Sequence, residues 1–301
     1  MNKSKSLGIM KNILTIFLVI FCLFFTGLRS EAVKIGLVTD SHMTYVAATS
    51  NAEIINVHTN RLIYTLQAMK LYQIKASENS ISIEINGKLY DLGTNAIAIK
   101  NTSPGFLCTK KRWYRGEFIV TSSNNLLTLV NNISLEEYIM GVVPAEMPSK
   151  WNPEALKAQA IAARSYAVAN LGKRASRGFD LKDNTEDQAY GGATSETVHT
   201  NRAVLDTKGI VVTYNRQVIP AYYCASAGGQ TINSGNVWTK NLPYLRSVPS
   251  FDEGTKKMGH GIGMSQYGAN NLAQQGYNAF QILTYFYNNI KFGKLSPDWN
   301  L

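Results

Sequence analysis

The sequence predicts an α+β protein: a β-rich N-terminal region, then a mixed α/β domain with a substrate groove. Three observations predict it. Short runs between residues 33 and 130 are alternating or β-rich and are bounded by Asn, Gly and Ser. Ser134, with Glu137 three residues later, then forms a capping box that opens a helix. An alanine-rich stretch of helical period follows from Asn152. The expected division is a targeting segment at 1–32, a β-rich lead-in at 33–130 and the mixed domain at 131–301.

Residues 13–28, ILTIFLVIFCLFFTGL, carry no charge and follow Lys3, Lys5 and Lys11. Ser30 and Ala32 supply the small residues for a cut after Ala32, which is the form of a secretory signal. The alternative is an uncleaved membrane anchor, although sixteen helical residues reach only about 24 Å against a hydrocarbon core of about 30 Å. Both readings put residues 33–301 outside the cytoplasm: secreted, in the wall or periplasm, or on the outer face of the membrane. Phe21 is a poor residue before Cys22, which argues against a lipoprotein.

Beyond residue 32, 26 basic residues face 19 acidic ones, a net charge of +7. That sign suits an anionic polymer or a membrane surface. Export, and the lack of a basic run interleaved with aromatics, argue against nucleic acid. Cys108 and Cys224 leave one disulfide open, and the chain has no CxxC.

Strands are expected at VKIGLVTD, ISIEING, GEFIVTSS and NLLTLVNN, with a hairpin turn at Asn86-Gly87. His42 and His58 stand alone, without a ligand partner at useful spacing, and read as surface or packing residues. The helix opened by Ser134 is expected to end near Gly141. Asn152-Pro153 starts the next, with Leu156, Ala160, Ala163, Ala167 and Leu171 on one face and Gly172 as its stop. A third helix is expected from about Thr194 to Lys208, closed by Gly209. A hairpin at Asn215-Arg216 and two helical stretches, QYGANNLAQQG and AFQILTYFYNN, complete the reading.

Between the first two helices lies Glu146, flanked by Pro144 and Pro148 among Val142, Val143, Ala145 and Met147. Prolines stiffen the segment, and apolar surroundings disfavour the charged carboxyl and raise its pKa. A general acid usable near neutral pH is made this way. The plainer alternative is a carboxylate paired with Arg164 or a lysine, or capping a helix. Two glycine loops, SAGGQT at 226–231 and GHGIGMSQ at 259–266, each follow a β-type segment. Glycines bring backbone close to a ligand, or simply make tight turns.

The series SLEEYIMGVVPAEMP, EALKAQAIAARSYA, DQAY, SAGGQT, VWTKNLPYLRSV and GHGIGMSQYGA resembles the SpoIID/LytB family, from about Ile133 to Asn288. The resemblance implies a lytic transglycosylase acting on peptidoglycan glycan strands, chiefly those stripped of stem peptides. It implies that Glu146 is the catalytic acid. Arg164, Gln188, Tyr190, Ser226, Gly228, Gly229, His260, Gly261, Ser265 and Gln266 are then the substrate contacts. Tyr190, Tyr222 and Trp238 are candidates for stacking on sugars. Some members hold zinc between the alanine-rich helix and the QAY segment; residues 172–190 here have neither His nor Cys, so no metal and no cofactor is expected. One rival is a non-catalytic wall-binding protein that stimulates a cell-wall amidase. The other is a metallo-amidase using His199, Cys224 and His260, whose spacings match no compact ligand motif.

Overall fold

The computed structural model describes residues 32–295. The expected targeting segment falls outside them, except for Ala32. Strands fill the first hundred of these residues: β1 (Ala32–Ser41), β2 (Met43–Ala48), β3 (Ala52–Asn56), β4 (Leu62–Leu66), β5 (Tyr72–Ala76) and β6 (Ile81–Ile85). After them come β7 (Lys88–Asp91), β8 (Ala96–Asn101), β9 (Leu107–Thr109), β10 (Arg112–Tyr114), β11 (Glu117–Ser123) and β12 (Leu126–Ser134). Alternation decides the faces. In β11, Phe118, Val120 and Ser122 turn inward while their neighbours are more exposed. The β6–β7 hairpin turns at Asn86 and Gly87 with φ of 51° and 77°, the left-handed pair that a two-residue turn requires.

With β13 at Leu181–Lys182, one sheet has the order β13-β1-β12-β11-β8-β3-β4, and a second the order β10-β9-β2-β5-β6-β7. Strand β13 comes from the later half of the chain and joins β1 in parallel, Ile35 facing Leu181. The anchored segment that follows reaches Ala189. Strand β12 runs through the expected boundary at residue 130 and passes directly into helix α1 (Leu135–Glu146).

Helix α1 does not stop near Gly141. A Cβ there would lie 2.5 Å from Cε2 of Tyr190, so this glycine permits a close approach rather than a helix end. The buried stripe Leu135, Tyr138, Ile139, Val142 and Val143 continues past it and carries the helix through Pro144. Glu146 is therefore the last residue of a helix, not part of a proline-bounded loop. The Ser134 hydroxyl donates to the Glu137 carboxylate at 2.7 Å instead of capping a backbone amide.

Helix α2 (Pro153–Ala169) starts as expected, with Asn152 Oδ1 accepting from the Glu154 amide at 2.9 Å. It is buried all round rather than on one face, and its alanines let α1, the helices at Val198–Asp206, Gln266–Gln274 and Ala279–Phe286 and the strand Ile210–Tyr214 close on it. Helix α3 (Val198–Asp206) is capped by Thr197 and Thr200, later than expected, because residues 192–195 form a 3₁₀ turn. Strands β14 (Ile210–Tyr214) and β15 (Gln217–Val218) flank the turn at Asn215-Arg216. The expected second strand is cut short at Pro220. Beyond it, β16 (Tyr223–Cys224) pairs in parallel with β17 (Met264–Ser265). Helices α4 (Gln266–Gln274) and α5 (Ala279–Phe286) and strand β18 (Lys291–Lys294) follow. One buried apolar cluster extends from Val33 to Tyr287.

Candidate functional site

Glu146 stands where the end of α1 meets three other segments. The Ala189 amide donates to its Oε1 at 2.7 Å, and the Tyr223 hydroxyl donates to the same oxygen at 3.2 Å. Oε2 receives only a long contact, 3.4 Å, from Gln266 Nε2. Burial pushes the Glu146 carboxyl above its ordinary range, and the hydrogen bonds from Ala189, Gln266 and Tyr223 offset this only in part. The negative end of the α1 dipole acts in the same direction as burial.

Behind this carboxyl lies a buried relay. Gln188 Nε2 donates to the Tyr223 oxygen at 2.8 Å, and the Tyr138 hydroxyl donates to Gln188 Oε1 at 3.2 Å. Since Tyr223 accepts from Gln188, its own proton is left for Glu146. Burial, and then the Glu146 charge, hold the Tyr223 pKa well above 10, so the phenol remains a donor.

Tyr223 also borders a groove of about 640 Å³, whose walls include Tyr166, Asp187, Tyr222, Trp238 and His260. Glu146 does not itself line this groove but lies directly behind Tyr223, which donates to it. Trp238 lies 4.5 Å from Tyr222 and 5.4 Å from His260 between ring centroids. His260 Nδ1 accepts the Ile262 amide at 2.9 Å, so the neutral ring carries its proton on Nε2. Burial, and then the Lys257 charge, lower the His260 pKa and favour that neutral form. Asp187 is already satisfied by Lys173, Arg174 and the Tyr166 hydroxyl.

A second carboxylate holds the two glycine loops together. Asp252, only 1% exposed, accepts from Ser226 Oγ at 2.9 Å, Ser265 Oγ at 2.6 Å, and the amides of Ala227 and Gly229, each at 2.7 Å. Ser250 donates as well. Burial alone would raise this carboxyl, but the donors from Ser250, Ser265, Gly229 and Ala227 outweigh it and bring it down to about 2.

The expected site residues thus separate. Gln266 touches Glu146, Gln188 stands one residue behind it, and His260 lines the groove. Ser226, Gly228, Gly229 and Ser265 build the loops: the Gly228 amide donates to Ser226 Oγ, and Ser265 caps α4. Gly261 is buried, and its carbonyl accepts the Ile232 amide.

Two expectations need correction. Arg164 is fully buried against Glu136, with contacts of 2.9 and 2.7 Å, and donates to the Ile210, Val204 and Ala160 carbonyls. It has no surface to offer a substrate, and it does not pair with Glu146. Tyr190, 1% exposed, packs between Tyr114 and Tyr138 and donates to Asn131 Oδ1, so its ring stacks on protein.

Sequence reasoning missed Tyr223 as a partner of Glu146, the Ala189 amide, Asp252, and Gln159, whose Oε1 accepts from Gln266 at 3.4 Å. The run Ser250-Phe251-Asp252 between two serine-bearing glycine loops was the available signal for Asp252. Cys108 and Cys224 are both free thiols. His42 and His58 are exposed and bond to Asn125 and Asn95. Among the described residues no three His, Cys, Asp or Glu side chains are grouped to hold a metal, and no helix is long and apolar enough to cross a membrane.

Residues 123–214 match the SpoIID family model, described as stage II sporulation protein. An uncharacterised protein of Brachyspira hyodysenteriae is 32% identical over 199 residues, covering 65% of this chain and 50% of that one. The amidase enhancer of Bacillus subtilis is 44% identical over 107 residues, 36% of this chain and 14% of the relative. Stage II sporulation protein D of Bacillus subtilis is 40% identical over 136 residues, 40% of each chain. The matched segments span half or less of the length of these three relatives.

Proposed function

Because the chain belongs to the SpoIID/LytB family through residues 123–214, we propose that it is a peptidoglycan lytic transglycosylase. It cleaves MurNAc–GlcNAc strands stripped of stem peptides, outside the cytoplasm, within the domain at 131–301. The observation that carries the reading is the asymmetry of Glu146: Oε1 holds two donors, while Oε2 has one contact at 3.4 Å. An obligate amide donor and a phenol on one oxygen leave the other to carry the acidic proton.

Glycoside hydrolases generally need a second carboxylate as nucleophile or base. Asp187, the acidic side chain of the groove that is fully buried, is tied to two cations and a phenol. A transglycosylase needs only one carboxyl. Glu146 protonates the glycosidic oxygen, the muramic 6-hydroxyl attacks the anomeric carbon, and the Glu146 carboxylate takes the hydroxyl proton. The products are a new chain end and a 1,6-anhydromuramic end. Tyr222, Trp238 and the His260 Nε2–H contact the sugars from the groove wall.

The test is mass spectrometry of peptide-free glycan strands after digestion. Anhydro ends are expected, and Glu146→Gln should lower their rate by roughly 10²–10⁴-fold with glycan affinity retained. Ends that incorporate labelled solvent oxygen would make the protein a hydrolase. The name of the Bacillus subtilis relative favours a second reading, an enhancer that binds the wall and stimulates an amidase. Binding without any new ends would select it.

A further inference from the structure

A second groove, of about 870 Å³, lies on the β-rich part of the molecule. Its walls include Tyr45, Leu71, Lys110 and Lys111. The two grooves share one stretch of chain. Lys182, Asp183 and Asn184 line this one, while the next three residues, Thr185, Glu186 and Asp187, line the groove beside Tyr223. The turn is fixed at both ends: Leu181 pairs with Ile35 of β1, and the Ala189 amide holds Glu146.

We infer that these grooves are one glycan track, in which a strand cleaved beside Glu146 crosses the 182–187 turn and occupies the groove between Tyr45 and Lys111. The inference rests on the transglycosylase reading for its substrate.

Three features of the second groove suit a carboxylated glycan. Tyr45 is 45% exposed, and its hydroxyl is pinned by Gln73 Nε2 at 2.8 Å, which fixes a flat apolar face beside Met43. Pyranose C–H faces pack on such a surface while their hydroxyls remain with polar neighbours. Lys110 and Lys111, at φ of 50° and 62°, form the tight turn between β9 and β10 and lift two amines onto the rim. Lys110 Nζ is held by the Leu37 carbonyl and Asp183. Lys111 is exposed and enters none of the ion pairs found among the described residues, so its charge is available. A strand stripped of stem peptides carries a free lactyl carboxylate on every muramic residue, a repeating anion for that amine. Finally, each groove has the size of a small-ligand site, and a polymer is the ligand that can occupy two grooves flanking one turn.

The experiment compares kcat/KM on long peptide-free strands and on a tetrasaccharide cut from them, for the wild type, Tyr45→Ala and Lys111→Ala. Binding of both glycans is measured in parallel on the Glu146→Gln protein, with and without each groove substitution. The wild type should favour the long strand, and each substitution should reduce the long-to-short ratio several-fold, in kcat/KM and in affinity. Both side chains are exposed, so the fold should tolerate their loss. Equal use of long and short glycans by the wild type, or a ratio unmoved by both substitutions, would overturn the track. If no anhydro ends form from either glycan, the transglycosylase reading fails, and the affinity ratio alone decides the track.

Discussion

The backbone amide of Ala189 donates to Oε1 of Glu146 at 2.7 Å, joining the segment anchored on β1 to the last residue of α1. Together with the Tyr223 hydroxyl at 3.2 Å, it favours the charged form of this carboxyl. Under the proposed mechanism Glu146 must be protonated to act, so kcat/KM should fall as pH rises through its pKa, which burial holds above the usual carboxylate range. Tyr223→Phe keeps the ring and removes one donor to the charged form. The basic limb should then move to higher pH, and the rate should drop. A pH–rate profile checks this. A lowered rate with an unmoved limb would make Tyr223 a packing residue only.

Glu146 also makes a prediction about stability. Its folded pKa is raised above the ordinary 4.5, so the folded protein holds this proton more tightly than the unfolded chain. Stability therefore falls as pH rises from about 4.5 through the folded pKa. Glu146→Gln removes the buried charge. Its melting temperature should exceed the wild type's at pH 7 by a few degrees, with the difference gone below pH 4. Scanning calorimetry at both pH values is the measurement, and a variant less stable at pH 7 would contradict the assignment.

Asp252 works in the opposite sense. Its carboxyl is depressed to about 2, so its contribution is complete above the unfolded value of 3.8 and is lost as pH falls from there toward 2. Asp252→Asn replaces one acceptor oxygen with a donor amide facing hydroxyl and amide donors. The loss should be about 2–4 kcal/mol at pH 7, shrinking on acidification. Urea unfolding at pH 7 and pH 3 tests both the size and the trend.

Local chemistry in the sequence accounts for much of this structure. Asn152-Pro153 marks the start of α2 because capping and proline act within one turn. Asn86-Gly87 and Asn215-Arg216 mark hairpins because positive φ is a local demand. Gly141 misled, since its role is to admit Tyr190, 49 residues away, and no helix-stop rule detects that. Glu146 stood out as a carboxyl among apolar neighbours. Its partners did not: Ala189 contributes only a backbone amide, and Tyr223 is one of 16 tyrosines. Arg164 followed the resemblance to the groove, but its partner Glu136 lies 28 residues upstream on α1, where helix packing alone brings the two together.

Arg164 should behave as a structural residue. Removing one member of a buried ion pair leaves the other uncompensated and costs about 3–5 kcal/mol. Arg164→Met should therefore lower the melting temperature sharply, while the folded fraction keeps a normal KM. Unchanged stability with a raised KM would return Arg164 to the substrate.

The glycines of residues 259–268 divide by what surrounds them. Gly263, at φ 75°, has room for no Cβ, which would lie 2.0 Å from the Tyr222 carbonyl oxygen. A Cβ on Gly268, in the first turn of α4, would lie 1.8 Å from the Ser250 carbonyl oxygen. Neither obstacle moves without shifting β16 or the segment that carries Asp252. Gly261 has φ 76°, but its nearest obstacle is Cε of the Lys257 side chain at 2.9 Å, which swings aside. Gly261→Ala should thus cost about 1–2 kcal/mol, the left-handed backbone penalty alone. Gly263→Ala and Gly268→Ala should each cost well over that and should disturb the loop bearing His260, with its near-ultraviolet Trp238 signal. Denaturant unfolding of the three variants ranks them, and a Gly261→Ala as damaging as the other two would mean that backbone conformation, not close packing, sets these positions.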